Sequence, residues 1–60
     1  MRINWKKLRE ATGLDETAFA RKLEVTPEMV IAWETHIIEP DAIEQKRIFA
    51  LVKIITEEGV

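Results

Sequence analysis

An all-α fold of four short helices follows from three observations on this chain. Phe19, Ala20 and Leu23 fall at i, i+1 and i+4, which is one stripe of a helix. Val30 and Trp33, at i and i+3, make the inward stripe of a second helix, and the turn between the two spans only three or four residues. No run alternates apolar and polar residues as a half-buried strand would. A connection that short forces two helices to cross steeply, as in a helix-turn-helix, and Ala20 is small enough for their backbones to approach.

The elements follow in order. The first helix runs from the Asn4 cap to about Thr12, with Gly13 as the left-handed residue beyond its end. Trp5 and Leu8 point inward, while Lys6, Lys7 and Glu10 face solvent. A second helix starts at the Asp15 cap and ends near Leu23. The third has Thr26 as its cap and Pro27 at the first helical position, where a missing N–H costs nothing. Val25 and Val30 take the two positions of a hydrophobic staple, and the helix ends near Glu34 or Thr35. His36–Glu39 is a loop closed by Pro40. The fourth helix opens on a capping box, Asp41 with Glu44 three residues later. It continues through Ile43, Ile48, Leu51, Val52 and Ile55 to about Glu57, and Gly59 terminates it.

Composition narrows the function. Sixty residues fit one domain, residues 1–60, which buries only about 60% of its unfolded surface and so needs good packing or a partner. An apolar content of 47% with two tryptophans supports a packed core. The absence of cysteine excludes disulfides and thiolate metal sites and suits a cytoplasmic location. Residues 1–10 are basic with no apolar run behind them, unlike a secretion signal, and no stretch reaches membrane-spanning length.

Catalytic chemistry finds no support in the residues. His36 is the single histidine and has no acids at metal-ligand spacing. Asp15/Glu16 and Glu57/Glu58 are helix neighbours that point apart, so neither pair makes a catalytic dyad. Glu57 and Glu58 also stand at the unfavourable end of the helix dipole. There is no serine and no glycine-rich phosphate loop. The expectation is a protein that is not an enzyme, with no catalytic residue, metal, cofactor, small-molecule substrate or membrane partner.

The runs R-E-A-T-G-L (Arg9–Leu14), F-A-R-K-L-E-V-T (Phe19–Thr26) and W-E-T-H-I-I-E-P (Trp33–Pro40) resemble the phage repressor and Cro helix-turn-helix family, also called the XRE family. The resemblance covers roughly Trp5 to Leu51 and implies a lambda-repressor-like domain that docks its third helix in the major groove of DNA as a dimer. It implies an ion pair between Arg9, late in the first helix, and Glu34, at the end of the third. Ala20, Val30 and Trp33 join that pair as the structural residues. It also maps base-facing positions onto Thr26, Pro27, Glu28, Ile31, Ala32 and Thr35.

Departures from the family pattern are concentrated where function would lie. Glu24 and His36 stand where the family has glycine, Glu16 where a phosphate-binding glutamine is common, and Glu39 and Asp41 where bases are frequent. A non-glycine residue in a left-handed turn costs about 1–2 kcal/mol. No Arg, Lys, Gln or Asn stands among the base-facing positions, so no bidentate contact to guanine or adenine is available. Glu28 fits a cytosine amino group, and Ile31 or Ala32 a thymine methyl. Arg21 and Lys22 are the phosphate candidates, against a net charge of −2 and a pI near 5.3.

The fourth helix is apolar over more than half its circumference, since Phe49 and Ile54 lie off its inward stripe. Phe49, Val52, Ile54 and Ile55 are the candidate homodimer interface, because paired half-sites on DNA call for two-fold pairing. Two functions fit. One is a small DNA-binding transcriptional regulator with double-stranded DNA as partner. The other is an interaction module that has lost DNA and meets another protein, such as a repressor or polymerase, through an acidic and apolar third helix.

Overall fold

The computed structural model describes residues 2–58. It contains α1 (Trp5–Thr12), α2 (Glu16–Leu23), α3 (Pro27–Glu34) and α4 (Ala42–Glu58). No strand occurs among the described residues, so the domain is all-α with four helices. The fourth helix reaches Glu58, one residue past the expected end. Its expected terminator, Gly59, lies outside the described residues.

Side-chain caps begin every helix. Asn4 accepts from the Lys7 N–H at 3.0 Å, Asp15 from Ala18 at 2.8 Å and Thr26 from Met29 at 3.3 Å. Asp41 and Glu44 bond reciprocally to one another's backbone N–H at 2.9 and 2.7 Å, which completes the capping box.

Helix ends are equally specific. Gly13 (φ 76°) donates its N–H to Glu10 O at 3.0 Å. Glu24 (φ 60°) then ends α2, with Val25 N–H on Ala20 O at 3.0 Å and Glu24 N–H on Arg21 O at 3.2 Å. His36 (φ 61°) repeats this at α3, with Ile37 N–H on Ala32 O at 2.9 Å and His36 N–H on Trp33 O at 3.1 Å. Both are Schellman endings, each placing a side-chain-bearing residue where glycine is usual.

Trp5, Phe19, Ala20, Leu23, Val30, Trp33 and Ile48 form the buried core. Leu8, Leu14, Val25, Met29, Leu51 and Val52 pack around it, half-exposed. The helix-turn-helix pair α2–α3 is the most tightly packed, and α4 crosses behind to cover α1 and α2. Ile43, early in α4, lies off this core and is 69% exposed. It lies five residues before Ile48, roughly 140° around the helix, so the two cannot share an inward stripe.

Candidate nucleic-acid interface

Two inward anchors and one ion pair set the orientation of α3. Val30 and Trp33 are each 1% exposed, which turns Glu28, Ile31 and Thr35 to solvent along one strip. Arg9 Nε meets Glu34 Oε2 at 2.6 Å and Nη2 meets Oε1 at 3.3 Å, a fork that ties α1 to the end of α3. Both side chains are only 9% exposed. Arg9 Nη1 also donates to Leu14 O at 3.0 Å and stands 3.7 Å from Glu16. The hydrogen bond to Glu34 outweighs burial and raises the guanidinium above its already high pKa, so the charge is permanent.

The base-facing candidates divide by what they already do. Thr26 spends its hydroxyl lone pair on the α3 cap. Thr35 is exposed, but its hydroxyl donates back to Ile31 O at 2.8 Å. Pro27 and Ala32 are half-buried, which leaves Glu28 and Ile31 as the side chains projecting freely. Ile31, Ile37 and Ile38 are 46%, 77% and 49% exposed, an apolar run along the strip and the loop after it.

Arg21 and Lys22 are exposed and make no ion pair among the described residues. Lys22 lines an open groove with Leu23, Glu24, Arg47, Ala50, Leu51 and Ile54. The walls of that groove are α2, its following turn and α4; no α3 residue lines it. Lys22 therefore borders the α2–α4 groove, which no base-facing residue lines.

After α3, Glu39 gathers two donors. Its carboxylate contacts His36 Nδ1 at 3.1 Å and accepts from Trp5 Nε1 at 3.4 Å. The His36 bond, with some help from Trp5, holds its pKa below the ordinary carboxylate range. Glu39 thus anchors the loop to α1, although the resemblance places it at a phosphate-facing position. The buried Trp33 Nε1 has no hydrogen-bond partner, and we have no physical account of that orphan.

The expected dimer residues do not make one face. Phe49 packs on Trp5 with ring centroids 5.8 Å apart and planes tilted by 42°. Val52 and Ile55 are half-buried, whereas Ile54 is 52% exposed. Phe49 and Ile54 lie roughly 140° apart around α4, so a single flat partner cannot cover both. The cause is the five-residue spacing, which the apolar composition of the helix conceals.

Sequence reasoning also missed Glu16 beside Arg9, and the relay in which Leu14 N–H bonds Thr12 Oγ1 while that hydroxyl bonds Arg9 O. A threonine three residues ahead of the Asp15 cap was the available signal. No cluster of three or more metal-binding side chains occurs among the described residues, and none of their helices is long and apolar enough to cross a membrane. No protein-family model, curated protein or solved structure matches this chain.

Proposed function

We propose that this domain is a small helix-turn-helix regulator that binds double-stranded DNA as a homodimer, with α3 as the reading helix. The observation that carries this reading is the fixed pose of α3. The Arg9–Glu34 fork and the buried Val30 and Trp33 leave one exposed strip on α3, the helix that follows the short turn after α2. Glu28 supplies a carboxylate for a cytosine amino group, and Ile31 supplies methyl contact to thymine. Arg21 and Lys22, exposed and without an ion pair among the described residues, are the cations for phosphate contact.

Selection from a random duplex pool at low salt tests it. A specific duplex should emerge, and Glu28→Ala or Ile31→Asp should weaken or redirect its binding. Failure of both random and selected duplexes to bind ends the DNA reading, and indifference to both substitutions removes α3 as the reader.

A second reading has its own support. No Lys or Arg lies between Thr26 and Asp41, and Ile31, Ile37 and Ile38 expose an apolar surface there. That chemistry suits another protein better than phosphate. In that case Ile31→Asp abolishes capture of a protein partner, and no duplex shifts even at low salt.

A further inference from the structure

The exposed surface of α4 contains a second regular pattern, distinct from its core stripe. Arg47, Ala50, Ile54 and Glu57 recur at spacings of three, four and three residues, and all four are exposed. Such spacing places the four on one face of the helix, an apolar Ala50–Ile54 centre between charges of opposite sign. Beside it runs the open groove of Lys22, Leu23, Glu24, Arg47, Ala50, Leu51 and Ile54. Its floor is apolar, with Leu23 buried and Leu51 half-buried, and its rim is charged.

The geometry points to a second copy of this chain as the occupant, its α4 antiparallel to the first across a two-fold axis at Val52. In that register Ile54 of each copy faces Ala50 of the other, so a large side chain meets a small one twice. Arg47 faces Glu57, a pair that occurs twice by symmetry. Neither Arg47 nor Glu57 has an ion-pair partner within the monomer among the described residues.

The charge match also removes a cost visible in the single chain. α4 ends on Glu57 and Glu58 with no basic residue in its last turn, which sets negative charge against the negative end of the helix. The partner's Arg47 would bring positive charge to that end. Parallel pairing would instead stack Glu57 on Glu57. The seam uses Ile54; Val52 marks only the level of the axis and packs on the core, while Phe49 packs on Trp5 on another face of the helix. It rests on the homodimer of the proposed regulator, yet requires no DNA.

Sedimentation of the full chain over a concentration series, at low salt and without DNA, tests the seam. Wild type should show a monomer–dimer equilibrium. Arg47→Glu alone and Glu57→Arg alone each create two repulsive pairs, and each should weaken dimerisation by about tenfold or more. An equimolar mixture of the two variants makes both pairs attractive and should restore association to near the wild-type level. Circular dichroism should show unchanged helicity, since both positions are exposed. A wild type that stays monomeric throughout overturns the seam, as does a mixture no better than either variant alone. DNA binding by such a monomer would leave the regulator reading standing without this interface.

Discussion

Glu24 holds a left-handed backbone (φ 60°, ψ 39°) that glycine adopts freely and other residues adopt at about 1–2 kcal/mol. Relief of that strain exceeds the entropy glycine adds to the unfolded chain, so Glu24→Gly should stabilise the fold by about 0.5–1 kcal/mol in denaturant melts. His36→Gly should gain less, because His36 also bonds Glu39. Unequal responses at two equally left-handed sites would separate backbone strain from side-chain bonding. The Arg9–Glu34 pair is the opposite case, a contact whose removal leaves a nearly buried cation. Glu34→Ala should cost about 3 kcal/mol, and a melt superimposed on wild type would show the fork contributes nothing. Glu39 supplies a pH test. Its pKa is lowered on folding, so its stabilisation is present above the unfolded value and is lost as pH falls through the folded one. Glu39→Gln should therefore flatten the acid limb of a plot of Tm against pH; a limb parallel to wild type would exclude this carboxylate.

At the scale of the elements, three helices were legible because each carried its own start, stop and inward stripe. The caps Asn4, Asp15, Thr26 and Asp41 all bond as their sequence positions imply. α4 was legible in extent and in its inward stripe, since Ile48 is buried, Leu51, Val52 and Ile55 are half-buried, and Phe49 and Ile54 lie off it. Periodicity does not give the fate of the apolar residues off that stripe: Phe49 packs on Trp5, whereas Ile43 and Ile54 are left to solvent. The partners of Arg9 divide the same way. Glu34 was visible through the resemblance, whereas Leu14 O and Glu16 depend on how the chain turns at Gly13. Thr26 gives the element-scale prediction, because it is both the α3 cap and a base-facing candidate. Thr26→Ala should cost about 1 kcal/mol and Thr26→Ser almost none. If Thr26→Ser preserves stability yet changes duplex preference, the methyl group is read by DNA as well; if Thr26→Ala leaves stability unaltered, the observed cap is not a contributor.

For the whole molecule, the decisive quantity is how few cations such a domain brings to a polyanion. Its net charge is −2, and the exposed strip of α3 presents Glu28 rather than a base. Affinity would rest on a handful of phosphate contacts, each contributing about −0.9 to the slope of log K against log salt. Arg21 and Lys22 together, in two copies, give about −3.6; Arg21 alone gives about −1.8. The structure makes these values distinguishable, because Lys22 borders the α2–α4 groove that a second copy would cover. If α4 pairing holds, Lys22 is committed to the seam, the slope should lie near −2, and Lys22→Glu should perturb dimerisation more than DNA contact. Arg21→Glu should then abolish the shift by itself. A slope steeper than about −5 would require cationic contacts beyond these two residues, and would move the DNA-facing surface away from the α2–α3 pair towards α1 or α4.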